Sequence, residues 1–263
     1  MNRTYIHATR YIIFLALGLL IAAACKKAEL EVPQLEENTT NGKTMASFNP
    51  NLEYGTLVDQ DQNEYRTIRI GNQIWLAENL RTTRYTDGTP IPYVETSADW
   101  EKAADAYCNY EHDNSDAAVA TYGRLYNGAA IRTGKLAPAG WRIPTKADWD
   151  ILAAQLGGPE LAGGKLKEVG LVHWFAPNKA ATNESGFTAL AAGYRHASGA
   201  FAGRNVQAIF HSATRHPLSN DPLLGRYNPV YSPTIEYHKE GIILSSSQLG
   251  NVGLPLRLVR DME

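Results

Sequence analysis

Alternating polar and apolar residues predict β-hairpins at the start of the main domain. Residues 65–70 alternate with the period of a strand that has one buried face. The pair Gly71-Asn72 suits a two-residue turn, so Gln73–Leu76 is expected to return as the partner strand. Gly55–Val58 is expected to form the strand that precedes them, before a polar turn.

A helix is predicted over residues 145–156. Thr145 supplies a hydroxyl cap, and Asp148 supplies a carboxylate three residues later. Trp149 begins the apolar stripe of this helix and is expected to be buried, with Trp141 packed beside the turn before it. The remaining predicted elements are helices at 122–131 and 160–168, and strands at 187–194, 207–212, 224–231, 236–244 and 254–259.

The first 25 residues have the pattern of an export signal. Arg3 and Arg10 precede fourteen uncharged, largely apolar residues, 11–24, which end directly at Cys25. A helix of that length spans about 21 Å, less than a hydrocarbon core of roughly 30 Å, so a signal peptide over 1–24 is favoured over a membrane span. The small residues before Cys25 resemble the lipobox of bacterial lipoproteins, in which that cysteine is acylated.

The resemblance predicts a lipoprotein of the cell envelope, at the outer membrane or cell surface, with the lipid bilayer as a partner through acylated Cys25. A plain secretory signal with an incidental cysteine is the alternative. After the signal, residues 25–53 are polar, with only scattered apolar positions, and are expected to form a flexible tether. One domain is expected over residues 54–263.

Composition narrows the classes of function. Apolar residues make up 44% and charged residues 20%, as in ordinary globular chains, so general disorder is excluded. The formal net charge of −2 argues against nucleic acid as a partner. The only two cysteines, Cys25 and Cys108, exclude a disulfide-dense scaffold and a four-cysteine zinc site.

Two motifs resemble ligand-binding loops but have simpler interpretations. Asp59, Asp61 and Asn63 have the spacing that begins a calcium loop, but later positions do not fit, and a hairpin turn is favoured over a calcium site. Residues 163–165, Gly-Gly-Lys, resemble the end of a phosphate-binding loop. Leu166 replaces the hydroxyl residue, so a turn between two helices is the favoured interpretation.

The candidate reactive side chains do not form a catalytic pattern. His211 and His216 are five residues apart, which suits neither one helix face nor one strand face, so a metal or acid–base role is disfavoured. Cys108 is expected to be a small buried apolar residue. We expect no metal and no cofactor.

Several stretches, taken in order, carry a family resemblance. They are residues 71–80 (Gly-Asn-Gln-Ile-Trp-Leu-Ala-Glu-Asn-Leu), 122–127 (Tyr-Gly-Arg-Leu-Tyr-Asn), 134–145 (Gly-Lys-Leu-Ala-Pro-Ala-Gly-Trp-Arg-Ile-Pro-Thr), 162–167 (Ala-Gly-Gly-Lys-Leu-Lys), 181–187 (Ala-Thr-Asn-Glu-Ser-Gly-Phe) and 256–261 (Leu-Arg-Leu-Val-Arg-Asp). Together they resemble the Fibrobacter succinogenes major paralogous (FISUMP) domain of Bacteroidetes surface proteins, over nearly the whole domain.

The resemblance implies an α+β, C-type-lectin-like fold, because residues 140–145 and 257–260 are also similar to motifs of formylglycine-generating enzymes. That fold has short antiparallel sheets, a few helices and long loops. The chain departs from the family pattern at 209–212, where Trp-Trp-Ser-Ser is usual, and at 128–130, where Trp-Tyr-Ala is common. Leu258 stands where a cysteine is frequent. The shape of any binding surface is therefore expected to differ from that of relatives.

The predicted location in the cell envelope, the expected fold and the missing catalytic pattern together indicate a non-catalytic binding or adhesion module. Glycans are the natural ligand class. A structural or accessory subunit of an envelope assembly, bound to another envelope protein, is the alternative. Enzymatic activity of the formylglycine-generating type needs a cysteine pair, which this chain lacks once Cys25 is acylated.

The loops between the last helix and the terminal strands are expected to form the ligand face. Trp174 and Arg204 are the favoured contacts, through ring stacking and bidentate hydrogen bonds. Asn183 and Glu184 are weaker candidates, since such a run also stabilises loops through side-chain to backbone hydrogen bonds.

Overall fold

The computed structural model of the protein describes residues 38–223, 228–248 and 250–262. The predicted signal peptide and Cys25 lie outside these residues. The described residues belong to a single unit that begins at Asn38. None of the helices in this part of the chain is long and apolar enough to cross a membrane.

The predicted β-hairpins lie in the main sheet. Strands β1 (Gly55–Val58), β2 (Glu64–Ile70) and β3 (Gln73–Leu76) pair in order, and the last strand, β13 (Val259–Asp261), pairs with β3. All three pairings are antiparallel, and Val259 lies opposite Trp75. The two ends of the domain therefore meet in one sheet.

Short antiparallel pairings account for the other strands of the described residues. Three two-stranded sheets pair β4 (Tyr107–Cys108) with β5 (Leu125–Tyr126), β6 (Ala192–Arg195) with β7 (Phe201–Arg204), and β9 (Val230–Tyr231) with β12 (Ser247–Gln248). In a three-stranded sheet, β10 (Thr234–Glu236) lies between β8 (Gln207–Ile209) and β11 (Ile242–Ile243). Within the described residues, β6, β8, β10 and β11 are shorter than the strands predicted at 187–194, 207–212 and 236–244, and loops connect them. Residues 224–227 of the strand predicted at 224–231 lie outside the described residues.

The described α-helices are short. They are α1 (Ser97–Lys102), α2 (Asp116–Tyr122), α3 (Gly128–Arg132), α4 (Lys146–Gln155) and α5 (Pro159–Leu166). The prediction for α4 is confirmed: Thr145 and Asp148 form a reciprocal capping box at its start. The single helix predicted over 122–131 is wrong, because Gly123 ends α2 with a φ of +69° and β5 follows.

A cluster of aromatic rings forms the centre of the core. Trp75, Trp149, Phe187 and Phe210 are buried, and the ring centroids of Trp75 and Trp149 are 4.8 Å apart. Phe210 stacks on Trp149 at 5.3 Å. The rings come from β3, from α4 and from two loops, so this cluster joins the main sheet to the rest of the domain.

Residues 38–53 pack on the domain, which corrects the predicted tether over that part. Asn38 donates to the backbone oxygen of Asp61, and the buried guanidinium of Arg81 donates to Oγ1 of Thr40 at 2.8 Å. The backbone N–H of Ser47 donates to Glu168 at 2.6 Å. The polar side chains that suggested a solvated segment instead form hydrogen bonds with the folded domain.

The architecture confirms the coarser part of the predicted fold class, a mixture of helices with short antiparallel sheets and long loops. The main sheet, α4 and the loop after α3 together position the site described next.

Candidate functional site

The structure places Trp174 in the core, which corrects its assignment as a ligand contact. Its side chain is buried, and its indole Nε1–H donates to the backbone oxygen of Ala189 at 3.0 Å. The loop that carries Trp174 folds back on the core, and this long-range packing leaves no sign in the local sequence.

Arg204 has a packing role in the described structure. Its guanidinium lies 3.7 Å from the ring centroid of Tyr122 and 5.0 Å from that of Tyr110. The cavity beside these rings has a volume of about 10 Å³, which is room for about one water molecule and not for a sugar. The cavity that Arg204 lines is therefore too small for a sugar.

Asn183 and Glu184, for which ligand contact and loop stabilisation were the two alternatives, have different surroundings. Asn183 is buried with a φ of +49°, and its Oδ1 accepts from the N–H of Thr188 at 3.0 Å. Glu184 is exposed and forms an ion pair with Lys165 at 2.9 Å. Asn183 holds the loop, whereas Glu184 lies at the surface.

The hairpin-turn interpretation of residues 59–63 is supported by their hydrogen bonds. Oδ1 of Asp59 accepts from the N–H groups of Asp61 and Asn63, and its Oδ2 accepts from the Tyr65 hydroxyl at 2.7 Å. Burial raises the pKa of Asp59, while these hydrogen bonds lower it. Within the described residues, no group of three or more His, Cys, Asp or Glu side chains could hold a metal ion.

The other sequence motifs have structural positions. Residues 163–165 lie inside α5, not in a turn, and a Cβ on Gly163 would come within 2.1 Å of the Gly241 oxygen. His216 caps the 3-10 helix Pro217–Asn220, whereas His211 is buried, so the two histidines have different surroundings. Cys108 is free and buried, as predicted.

One cavity of about 540 Å³ lies where three separate segments converge. Its volume falls within the roughly 300–1,000 Å³ typical of small-molecule sites. One wall comes from α3 and the turn after it, a second from residues 137–143, and a third from residues 211–215 with Asn228 and Val230.

Hydrogen bonds hold these walls together. Arg142 and Val259 of β13 exchange backbone hydrogen bonds at 2.9 and 3.0 Å, which ties the second wall to the main sheet. The N–H of Ala213 donates to the oxygen of Pro144 at 2.8 Å, which joins the second and third walls. The cavity therefore has a framework that exists without a ligand.

Trp141 differs from the other tryptophans of the protein. The chain has five, and Trp75, Trp100, Trp149 and Trp174 are all buried. Trp141 is half-buried, packs against a core cluster and lines the cavity. It is the one tryptophan with indole surface that a ligand could contact.

Three arginines line the cavity, and their partners differ. Arg142 forms ion pairs with Asp148 and Asp261, and Asp148 raises its pKa. Arg215 donates to the neutral amide oxygen of Asn228 at 2.7 Å. Arg132, at the rim, is partly desolvated, which lowers its pKa, and the positive charge of Arg215 lowers it further.

His211 contributes a buried acceptor to the same cavity. It lies against the backbone oxygen of Tyr126, with Nε2 at 2.7 Å, so Nε2 carries the proton in the neutral ring. Burial lowers the pKa of His211 to about 4. The hydrogen bond with Tyr126 raises this pKa, and the positive charge of Arg132 lowers it further. Nδ1 is buried with no hydrogen-bond partner among the described residues.

Both stretches in which the chain departs from the expected family pattern meet at this cavity. Gly128 belongs to the first stretch, and His211 and Ser212 belong to the second. A Cβ at Gly128 would come within 2.5 Å of the Gly250 oxygen, so a larger residue does not fit there. Sequence reasoning noted these departures but missed Trp141, Arg132 and Arg215 as site residues, because their convergence depends on tertiary packing.

A second, larger cavity has a different charge arrangement. It measures about 810 Å³ and is lined by residues of α4 and α5 and by residues 238–245. Its charged lining residues carry both signs: Lys146 pairs with Asp150 at 2.7 Å, and Glu160, Lys179, Lys239 and Glu240 also line it. We therefore take the first cavity, with its unpaired arginines and histidine acceptor, as the candidate site.

Comparison with known proteins supports the family resemblance. The family model of the Fibrobacter succinogenes major domain matches residues 68–260, which is well over half of the chain. A search of curated proteins and a search of solved structures each returned no significant match. The matched region begins within β2, ends within β13 and contains every wall of the candidate cavity. The chain therefore belongs to the Fibrobacter succinogenes major domain family.

Proposed function

We propose that the protein is a lipid-anchored surface module that binds saccharides, without catalysis, in the cavity lined by Trp141. The observation that carries this proposal is the position of Trp141, the one tryptophan that is not buried, in a preformed cavity of about 540 Å³. An indole ring offers a flat apolar surface, and the surrounding arginine and histidine groups offer hydrogen bonds to hydroxyls.

The family resemblance supports a ligand of this class. Its motifs imply a C-type-lectin-like fold, in which long loops on a small scaffold carry the binding surface. In this chain the walls of the cavity are likewise loops and one short helix held by the main sheet. Because one fold supports many functions, the site residues carry more weight than the fold.

A role without catalysis fits the state of the candidate reactive groups. Burial raises the pKa of the Cys108 thiol to about 12, so it is not a thiolate at neutral pH. His211 is neutral at the same pH and is buried. Cys108 is therefore not an activated nucleophile, and His211, with a pKa of about 4, is only a weak base.

The experiment for the binding site compares two aromatic substitutions in the purified full-length protein. Binding to a panel of immobilised polysaccharides is measured for wild type, Trp141→Ala and Phe175→Ala. Phe175 is an exposed aromatic residue that does not line the cavity, so it serves as the matched control. Retention on a polysaccharide should be lost in Trp141→Ala and kept in Phe175→Ala; equal retention by all three proteins contradicts the site.

Membrane anchoring follows from the lipobox resemblance at Cys25 and is tested separately. Cys25→Ser should move the protein from the membrane fraction to the soluble fraction, since several acyl chains give stable anchoring. Cys108→Ser, at the other cysteine, is the control and should stay with membranes. Unchanged membrane association of Cys25→Ser rejects the lipid anchor.

An exposed apolar loop favours a second candidate function, that of an accessory subunit bound to another envelope protein. Val172 is 77% exposed and Leu171 is 59% exposed. The next two residues, His173 and Trp174, are buried and hold the loop in place, and Phe175 is again exposed. Clustered exposed apolar side chains mark contact surfaces. A photo-crosslinking amino acid at position 172, with position 102 as control, should capture one defined protein if this function is correct; no cross-link, or lipid alone, rejects it.

A further inference from the structure

The cavity lined by Trp141 has an unbalanced positive charge. Its charged lining residues are Arg132, Arg142 and Arg215, and no carboxylate lines it among the described residues. Arg142 is neutralised by Asp148 and Asp261. Arg132 and Arg215 have no acidic partner in the part of the chain that the structure describes.

The two unpaired guanidinium groups are close enough to affect each other. The charge of Arg215 disfavours the charged form of Arg132, and the charge of Arg132 in turn disfavours protonation of His211. Arg132 and Arg215 are both exposed where they line the cavity, so a dissolved anion can reach them. Like charges that lie close together are stabilised by an anion between them. Guanidinium groups bind planar or tetrahedral oxyanions through paired N–H donors.

The two arginines call for an acceptor on the ligand, whereas His211 calls for a hydrogen-bond donor. Its side chain is 1% exposed, and Nδ1, the bare nitrogen of the neutral ring, has no donor among the described residues. Buried acceptors without a partner are rare in proteins. A ligand that satisfies it must bring a hydrogen-bond donor, such as a hydroxyl group.

These observations together define one ligand class. We infer that the cavity binds a sugar residue that carries an anionic group, its carboxylate or sulfate held by Arg132 and Arg215, a hydroxyl donating to Nδ1 of His211, and the ring against Trp141. This inference rests on the proposed saccharide-binding function and narrows it to acidic polysaccharides. A neutral sugar would leave the two guanidinium groups without a counter-charge.

The test uses ligand pairs that differ only in charge. Binding of full-length protein to polygalacturonate is compared with binding to its fully methyl-esterified form, and binding to dextran sulfate is compared with binding to dextran. We expect the acidic member of at least one pair to bind at least about tenfold more tightly, the size of one charge-assisted contact. Preference within the first pair identifies a carboxylate, and preference within the second identifies a sulfate.

Variants then locate the charge effect. Arg132→Ala and Arg215→Ala should each weaken binding of the acidic polymer at least about tenfold, while Arg132→Lys, which keeps the charge, should retain most of it. Arg69→Ala removes an exposed arginine from β2, outside the cavity, and should leave binding unchanged. Thermal unfolding of each variant checks that the fold is intact.

The outcomes separate this inference from the function on which it rests. Equal binding of charged and uncharged polymers, lost in Trp141→Ala, overturns the anionic ligand and leaves saccharide binding standing. Acidic binding that falls equally in Arg69→Ala also overturns it, because the effect is then general surface charge. Absence of binding to every polymer overturns both proposals.

Discussion

Arg257 donates from Nε to Oδ1 of Asn79 over 2.6 Å, and this hydrogen bond joins residues 178 positions apart. Arg257 is fully buried and also donates to the backbone oxygens of Leu76, Phe187 and Thr188. Its guanidinium lies 4.7 Å from the ring centroid of Phe187. The arginine of the terminal family motif is therefore a structural residue that links the two ends of the domain to the aromatic core.

Arg257→Met should destabilise the fold by at least about 3 kcal/mol. The substitution fills a similar space but leaves Asn79 and three carbonyl oxygens buried without their donor, and each lost partner costs about 1–3 kcal/mol. Urea unfolding measures the change. Arg260→Met, at an exposed arginine in the same motif, is the matched control and should change stability by less than about 1 kcal/mol; similar losses in both variants contradict the structural role.

Stability should fall as the pH is lowered from about 6.5 to about 4, in part because of His211. Its pKa is lowered in the folded state to about 4, so the unfolded chain binds the proton first. The stabilisation is complete above the unfolded pKa of about 6.5 and is lost towards pH 4, by roughly 3 kcal/mol. Thermal unfolding across this range should show a weaker pH dependence in His211→Gln than in wild type.

The control for that pH dependence is His196→Gln, which alters an exposed histidine. Its unfolding profile should follow that of wild type. A His211→Gln profile parallel to wild type, with only a constant offset, shows that His211 does not titrate on unfolding.

Truncation of Trp149 should mainly reduce stability, whereas truncation of Trp141 should mainly reduce binding. Trp149 is fully buried between Trp75 and Phe210, so Trp149→Ala should cost about 3–5 kcal/mol. Trp141 is half-buried, so Trp141→Ala should cost clearly less while abolishing saccharide binding. Chemical unfolding and polysaccharide retention, measured on both variants, check this; equal stability losses contradict the assignment of Trp141 to the site.

Substitutions of Asn183 and Glu184, in the same loop, should also differ in their cost to stability. Asn183→Ala removes the acceptor for the N–H of buried Thr188 and should destabilise the fold by about 1–3 kcal/mol. Glu184→Ala removes a half-exposed ion pair with Lys165 and should cost less than about 1 kcal/mol. A larger loss for Glu184→Ala than for Asn183→Ala, in calorimetry, reverses the roles.

Local signals allowed much of the fold to be predicted. The capping box at Thr145 and the alternation through Ile68 each depend on residues close in sequence, and both elements form as expected. Buried Trp174 could not be placed, because its burial depends on a loop that folds back to Ala189. The cavity was missed for the same reason: Arg132, Trp141 and His211 meet only through tertiary packing.

Access of a small quencher to Trp141 reports directly on the proposed saccharide site, because the other four tryptophans are buried. Acrylamide quenching of tryptophan fluorescence is measured in full-length wild type and in Trp141→Phe, with and without a saturating acidic oligosaccharide. We expect the ligand to protect wild type from quenching and to have no effect on Trp141→Phe. Unchanged quenching of wild type by a ligand that demonstrably binds, or equal protection of both proteins, would contradict a saccharide site at Trp141.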